Sequence, residues 1–228
     1  SEVHYLRRVL RLRKGDPLTV VDGIGSLWEA KYLGNESIRL STSFESPEEI
    51  KPRPNTLIGL AVVFPRRGYD ELLRMSTEIG VDIIQPLQSE RSVVKLDDDG
   101  RRRRSERIIR ESVEQSERLW IPELRNIIYF QKWLDLRPKN AIFRLASTRL
   151  LSSNDFHSCM QQIKPGIDQI WIAIGPEGGW TEREQLLAKE ADCIEFQFGE
   201  SILRTSTAAV VATQLMVDWR RNTALCSK

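Results

Sequence analysis

The pattern of hydrophobic and polar positions changes about fifty residues into the chain. Before that point, short strands are predicted at residues 17–21, 26–33 and 37–40, and residues 26–33 alternate roughly between apolar and polar. The turn signals Asp22-Gly23 and Gly34-Asn35 separate them. Alternation with a period of two is typical of strands that bury one face. Several short strands joined by glycine turns predict a small β-barrel, which is too small to be an enzyme core by itself.

Residues 45–55 have the composition of a linker. They contain Pro47, Pro52 and Pro54 among charged residues, and prolines of this density interrupt regular structure. We therefore predict a domain boundary here, with a first domain over residues 1–51 and a second over residues 52–228.

Beyond the boundary, apolar runs alternate with helical patterns. An uninterrupted apolar run at residues 57–64 predicts a strand buried on both faces. Further strands are predicted at residues 81–84, 140–145, 169–174 and 194–198. Apolar residues at helical spacing predict helices at residues 69–79, 105–120, 181–191 and 207–219. Because strands and helices alternate, the second domain is predicted to be α/β, with a mostly parallel sheet and helices on both sides.

Local signals mark several helix ends. Gly80 follows the first helical pattern, as glycine commonly does at a helix C-terminus. Thr181 followed by Glu184 forms a capping-box pattern, and Pro122 is predicted to end the helix before it.

Charge is distributed unevenly in a chain whose formal net charge is only +2. Basic residues crowd the first fourteen positions, and Arg101 to Arg104 form an unbroken run. One such cluster is equally compatible with a solvated face and a phosphate-binding face. Two clusters in one chain favour nucleic acid as a partner.

Cysteine and histidine are sparse. The three cysteines include no CxxC pair, and His4 and His157 are the two histidines. We therefore expect no disulfide framework and no metal site, and a reduced compartment, the cytoplasm or an organelle stroma. The apolar run at residues 57–64 is too short to span a bilayer, and no signal peptide is recognised, so no membrane partner is expected.

Two segments rich in small residues follow predicted strands, where ligands bind in parallel sheets. Residues 174–181 contain three glycines, which allow a ligand to approach the backbone closely. Residues 198–208 contain Arg204 among small polar residues. Neither segment matches a dinucleotide or phosphate-loop motif. Either segment alone could be only a tight connection, but together they are expected to lie side by side and form one pocket.

Five motifs in order resemble the RsmE family of 16S rRNA (uracil-N3)-methyltransferases. The most specific are Gly175-Pro176-Glu177-Gly178-Gly179 and Ile202-Leu203-Arg204-Thr205-Ser206-Thr207-Ala208. The others are residues 78–95, ending in Ser-Glu-Arg-Ser-Val-Val-Lys, residues 114–122, with Glu-Gln-Ser, and residues 4–16. The resemblance covers nearly the whole chain.

The resemblance implies a SPOUT-type fold with a C-terminal trefoil knot, preceded by a PUA-like RNA-binding barrel. It also implies a homodimer in which each pocket is completed at the subunit interface. The implied cofactor is S-adenosylmethionine, and the residues expected to bind it are Leu145, Ala146, Ser147, Thr148, Ile174, Gly175, Pro176, Glu177, Gly178, Gly179, Phe198, Gly199, Ile202, Leu203, Thr205 and Thr207.

The implied reaction methylates N3 of a uridine in small-subunit ribosomal RNA. Charge that develops on the uracil oxygens suits Arg204 as the catalytic residue, although Arg204 could instead form a salt bridge that anchors the last helix. Glu177 either tunes the pocket electrostatically or braces its loop. Ser206 stands where the family usually has glutamate, and serine cannot act as a carboxylate base.

RNA contacts are expected from Arg7, Arg8, Arg11, Arg13 and Arg91, together with the run at residues 101–104. Trp28 could stack on a base, but packing in the core is the favoured interpretation for it. Two alternatives stay open. Ser206 motivates an RNA-binding or ribosome-assembly factor with weakened catalysis, and the charge pattern fits a methyltransferase acting on transfer RNA equally well.

Overall fold

The computed structural model describes residues 12–35, 37–92, 99–148, 155–161, 163 and 166–225. The described chain divides into two units. The first contains the residues up to Arg53 together with Glu117–Ile121, and the second contains the remainder.

The first unit is built on an antiparallel sheet. Its strands are β1 (Pro17–Val21), β2 (Ser26–Gly34), β3 (Ser37–Leu40) and β4 (Glu49–Ile50). Strand β2 pairs with the other three. Alternate β2 residues Trp28, Ala30 and Tyr32 are buried, and the Trp28 ring stacks on Phe44 with centroids 5.0 Å apart. The favoured interpretation of Trp28 as a core residue is therefore confirmed, whereas Glu49–Ile50 is a paired strand inside the predicted linker.

Residues Glu117–Ile121 return to the first unit from far along the chain. The Ile121 amide donates to Gly23 O over 2.9 Å, and the Gly25 amide donates to Leu119 O over 2.9 Å. The Trp120 indole donates to Lys51 O over 2.8 Å. This segment was predicted as the end of a helix in the second domain, and that prediction is wrong.

The second unit contains thirteen of the described elements. In chain order they are β5 (Leu57–Val63), α1 (Tyr69–Ile79), β6 (Ile83–Gln88), α2 (Asp99–Gln115), β7 (Glu123–Leu124), β8 (Ile128–Tyr129), α3 (Phe130–Asp135), β9 (Ala141–Ala146), α4 (Phe156–Gln161), β10 (Gln169–Ile174), α5 (Glu182–Glu190), β11 (Ile194–Phe196) and α6 (Thr205–Leu225).

These strands form one parallel sheet in the order β11-β9-β10-β5-β6-β7, and β8 also pairs with β6. The predicted α/β class with a parallel sheet is confirmed. The central strand β5 is buried along almost its whole length, as its continuous apolar run predicts.

Helices cover both faces of this sheet. Alternate β5 residues Ile58, Leu60 and Val62 pack in one core cluster, with side chains from α1 and α6. Ala61 and Val63 point the other way, into a second cluster with residues of α3 and α5. Each large apolar side chain buried in this way contributes roughly 1.5–3 kcal/mol to folding.

Two helices have bounds that differ from the predicted ones. Helix α2 begins at Asp99 rather than at Ser105. Helix α2 ends at Gln115 rather than Trp120, and Glu117 adopts a left-handed backbone with φ of 54°, which stops helical hydrogen bonding. Helix α6 is longer than predicted, beginning at Thr205 and ending at Leu225. Within the described part of the chain, no helix is both long and apolar enough to cross a membrane.

Candidate functional site

The carboxyl ends of three neighbouring strands meet at Ala146. This residue, the last of β9, pairs with Ile174 at the end of β10 and with Phe196 at the end of β11. The next amide, that of Ser147, donates to Phe196 O over 2.9 Å. The segments that follow the three strands therefore begin side by side, at the sheet edge where parallel folds bind ligands.

The two small-residue segments are in direct contact. Thr205 Oγ1 donates a hydrogen bond of 3.0 Å to Gly175 O, and Thr205 is only 5% exposed. The expected juxtaposition of residues 174–181 with residues 198–208 is thus present. A buried hydroxyl that lacked this acceptor would lose about 1–3 kcal/mol, so the contact fixes the distance between the segments.

Trp180 forms one wall of this site. Its indole nitrogen donates to Ala146 O over 3.0 Å, and the side chain is almost fully buried. The ring lies so close to Gly175 that a Cβ there would come within 2.9 Å of Trp180 Cε2. Glycine at position 175 is therefore a packing requirement. Trp180 was not predicted as a site residue, although it directly follows the glycine motif.

The glycine segment ends in a tight turn and a capped helix. The Gly179 amide donates to Pro176 O over 2.8 Å, and Gly179 has φ of 70°, a conformation that glycine adopts without strain. Thr181 caps α5, and its hydroxyl and the Glu184 side chain form the predicted capping box. The capped N-terminus of α5 therefore holds the turn in place.

Neighbouring loops brace the glycine segment from the side. Glu177 Oε1 accepts a hydrogen bond of 2.9 Å from the Arg66 amide, just after β5. The Arg91 guanidinium, just after β6, donates to Gly178 O over 2.7 Å and also approaches Trp180 O. The bracing interpretation of Glu177 is observed. No sequence signal pointed to Arg66, and Arg91 was predicted only as an RNA contact.

Glu195 of β11 is linked through Gln185 of α5 to Ser147, the residue after β9. Its carboxylate accepts a hydrogen bond of 3.2 Å from Gln185 Nε2, which also reaches Ser147 Oγ over 3.3 Å. Partial burial raises the pKa of Glu195 above its ordinary value. Neither Gln185 nor Glu195 belongs to a motif that marks it as a site residue in the sequence.

Two family models match the chain. The RNA methyltransferase domain matches residues 51–217, and the RNA methyltransferase PUA domain matches residues 1–41. Ribosomal RNA small subunit methyltransferase E of Synechocystis is 36% identical over 93% of this chain and 69% of its own length. The Bacillus subtilis protein of the same name is 29% identical over 93% of this chain and 85% of its own length.

The chain belongs to the ribosomal RNA small subunit methyltransferase E family.

Solved structures agree with this family assignment. The Neisseria gonorrhoeae ribosomal RNA small subunit methyltransferase E, bound to S-adenosyl methionine, superposes with a TM-score of 0.78 at 28% identity, over 94% of this chain and 88% of that one. A Legionella pneumophila methyltransferase in complex with the same cofactor superposes with a TM-score of 0.80 at 26% identity, over 94% of this chain and 87% of that one.

The cofactor residues predicted from the family resemblance occupy different environments. Gly178 is exposed, whereas Ile174 and Pro176 are buried. Leu145 is fully buried in the core cluster with α3 and α5, so it offers only its backbone to a ligand. The Phe198 ring packs against Phe196 with centroids 5.0 Å apart. The cofactor assignment of the whole set stays a prediction.

Arg204 and Ser206 flank Thr205 at the start of α6. Arg204 is exposed, and no carboxylate of the described residues pairs with its guanidinium. The alternative interpretation of Arg204 as an ion-pair anchor for the last helix thus finds no partner within the described chain. Ser206 Oγ lies 3.2 Å from where a Cβ of Gly68 would be, which puts the serine beside the loop after β5.

The arginines predicted to contact RNA are only partly described. Arg7, Arg8 and Arg11 lie outside the described residues, and Arg13 is exposed. Three of the four arginines in the run on α2 have intramolecular contacts. Arg101 lies over the Phe64 ring, Arg102 pairs with Glu106, and Arg104 pairs with Asp70.

Proposed function

We propose that this chain is an S-adenosylmethionine-dependent methyltransferase that methylates N3 of a uridine in small-subunit ribosomal RNA. The observation that carries this proposal is the convergence of three strand ends at Ala146, with the Thr205–Gly175 hydrogen bond joining the two motif segments. Membership of the family supports the reaction class, and the S-adenosyl methionine bound to the gonococcal relative supports the cofactor.

The residues at this edge suit an adenosylmethionine molecule. Uncharged groups dominate, with backbone amides and carbonyls around Gly178 and Gly179 and hydroxyls at Ser147 and Thr148. An added Cβ at Gly179 or Gly199 would meet open space, so the backbone there is accessible to a ligand. The Glu177 carboxylate adds negative charge, which is compatible with a cationic sulfonium. We assign the predicted residues of the three segments to this cofactor.

S-adenosylmethionine would supply an electrophilic methyl group on a sulfonium sulfur. The protein's own task is to hold the uracil in line with that group, and such positioning can remove several kcal/mol from a barrier. We propose that the Arg204 guanidinium donates hydrogen bonds to the uracil oxygens, where negative charge accumulates as N3 loses its proton. Its exposure and the lack of a carboxylate partner in the described chain support this role.

Proton removal distinguishes this chain from the family pattern. Ser206 offers a hydroxyl, which does not act as a base near neutral pH. We propose that the N3 proton leaves to water, with Arg204 lowering the cost of the resulting anion. This assignment predicts a pH dependence that a carboxylate base would not give.

We propose further that the chain has the architecture implied by its family. A PUA-like barrel for RNA binding is supported by the antiparallel sheet of β1 to β4 and by the PUA model match. A C-terminal trefoil knot is supported by the path from edge strand β11 to α6, which packs against β5, β10 and α1. A homodimer is proposed from the family resemblance alone.

The compartment stays as predicted, the cytoplasm or an organelle stroma. Within the described residues, Cys159 and Cys193 are buried free thiols, a state that a reducing compartment maintains.

Two measurements test the proposed function. Titration calorimetry with S-adenosylmethionine should show binding, and tritiated methyl transfer should label small-subunit ribosomal RNA but not transfer RNA. Absence of cofactor binding would favour the RNA-binding factor that Ser206 suggests. Labelling of transfer RNA alone would replace the proposed substrate.

A further inference from the structure

An arginine-lined cavity of about 550 Å³ lies beside the candidate site, within the second unit. It is formed by the loop after β5 and by the first turns of α1 and α2. The charged residues that line it are Arg66, Arg67, Asp70, Glu71, Arg101 and Arg104. This volume falls within the range of natural small-molecule pockets. We refer to this feature as the arginine cavity.

Positive charge exceeds negative charge in the arginine cavity. Asp70 is neutralised by its ion pair with Arg104, and the Arg101 guanidinium stays near the cavity, over the Phe64 ring at 5.2 Å. Arg66 and Arg67 are exposed, and no carboxylate of the described residues forms an ion pair with either. Exposed guanidinium groups that lack a carboxylate are well suited to bind phosphate, through charge-assisted and often bidentate hydrogen bonds.

The arginine cavity adjoins both segments assigned to methyl transfer. The amide of Arg66 is held by Glu177 of the glycine segment over 2.9 Å. Gly68, which also lines the cavity, lies next to Ser206, two residues from Arg204. A polymer whose target base reached Arg204 would therefore bring its neighbouring backbone groups toward Arg66 and Arg67.

We propose that the arginine cavity binds backbone phosphate of the RNA strand next to the target nucleotide, with Arg66 and Arg67 as the main phosphate contacts. The inference rests on the proposed function and adds Arg66 and Arg67 to the RNA contacts that were expected on the methyltransferase unit from Arg91 and residues 101–104. It differs from the docking surface expected on the N-terminal barrel, because its contacts come from the loop after β5. Phosphate contacts of this kind fix the register of a strand without reading its sequence.

The test uses the full chain and a fluorescein-labelled single-stranded fragment of small-subunit ribosomal RNA. Affinity is measured by fluorescence anisotropy over a series of salt concentrations. The double variant Arg66→Ala/Arg67→Ala should bind more weakly. Its slope of log K against log salt should be shallower by about 1.4, because each single-strand phosphate contact contributes about 0.7.

Two control variants make this result specific. Lys189→Ala/Arg221→Ala removes the same charge from exposed positions on α5 and α6, outside the arginine cavity, and should keep the wild-type slope. Arg66→Lys/Arg67→Lys keeps the charge in the cavity and should keep most of the slope. A slope for Arg66→Ala/Arg67→Ala equal to that of the control pair would overturn the inference and identify these arginines as a solvated face.

A different measurement shows whether the proposed function fails. Alanine substitution leaves the Arg66 amide in place, so the double variant should bind S-adenosylmethionine with wild-type affinity in calorimetry. If the wild-type protein binds no S-adenosylmethionine, the proposed function fails, whereas the salt slopes still decide whether the arginine cavity holds RNA phosphate.

Discussion

The hydroxyl of Thr205 donates a 3.0 Å hydrogen bond to the carbonyl oxygen of Gly175, thirty residues earlier in the chain. This single contact joins the start of the last helix to the glycine segment after β10. Because Thr205 is buried, water cannot compete for this hydrogen bond, and the contact holds the two segments at a fixed separation. A fixed separation lowers the ordering cost of binding.

Replacement of Thr205 by valine keeps the shape of the side chain and removes the hydroxyl. We expect Thr205→Val to weaken S-adenosylmethionine binding about tenfold, the equivalent of one lost hydrogen bond. Calorimetry measures the affinity. Thr213→Val is the matched control, because Thr213 is also buried on α6 but its hydroxyl donates to Ala209 O of its own helix. Equal affinities for the two variants would show that the Thr205 contact does not contribute to S-adenosylmethionine binding.

Arg204→Ala tests the catalytic assignment. We expect the turnover number to fall by about 100-fold or more, because the uracil anion loses its hydrogen-bond donor. The affinity for S-adenosylmethionine and the melting temperature should stay unchanged, since Arg204 is exposed. Single-turnover methyl transfer measures the rate. Arg204→Lys should restore part of the rate, and near-normal turnover of Arg204→Ala would dismiss the catalytic role.

Ser206→Glu tests the route of the proton. If water accepts the proton, the wild-type rate should rise with pH across the neutral range, because deprotonated uracil becomes more abundant. A carboxylate at position 206 should flatten this profile and raise the rate near neutral pH. Ser206→Gln, which adds bulk without a base, should keep the wild-type profile. A flat wild-type profile would show that another group already acts as the base.

Gly175→Ala tests the contact with Trp180. An added Cβ would lie 2.9 Å from the indole ring, so the ring must shift away from its bond to Ala146 O. We expect the free energy of unfolding to fall by about 1–3 kcal/mol, as measured by denaturant titration. In the Trp180→Leu background, Gly175→Ala should lower the free energy of unfolding by a smaller amount. An equal decrease in both backgrounds would show that the strain does not come from the contact with Trp180.

Glu195→Gln tests the consequence of the half-buried Glu195 carboxylate. Because burial raises the pKa of Glu195 in the folded protein, the folded state holds its proton more tightly than the unfolded state. As pH rises from the ordinary value of 4.5 through the folded pKa, the wild-type protein should therefore lose stability that the glutamine variant keeps. Melting temperatures across this range measure the difference. If the melting temperatures of the two proteins converged at neutral pH rather than at acidic pH, the expectation would be refuted.

Local signals were sufficient to predict much of the fold. Helix α1 has the predicted bounds because Leu72 and Leu73 set its buried face and Gly80 follows its last residue. The α5 capping box followed from Thr181 and Glu184 alone. Each of these features depends on residues within one or two turns of each other, and this is the range over which propensity and periodicity act.

Contacts between distant residues could not be predicted in the same way. Nothing near Trp180 in the sequence indicates that its indole bonds to Ala146, thirty-four positions earlier. The end of α2 was misjudged because Val113 and Trp120 continue a helical spacing, whereas Glu117 reverses the backbone. The site motifs were recognised by family resemblance. The contacts that Arg66 and Arg91 make with the glycine segment could be seen only in the folded structure, because these residues come from loops that are distant in sequence.

The return of Glu117–Ile121 makes the small N-terminal unit discontinuous in sequence. During synthesis, its first strands leave the ribosome well before the segment that supplies the Trp120 bond to Lys51 and the Ile121 pairing with Gly23. A fragment truncated at Arg53 would lack both contacts. Completion of this unit must therefore wait until translation has passed residue 121, when the first strands of the larger sheet have already been made.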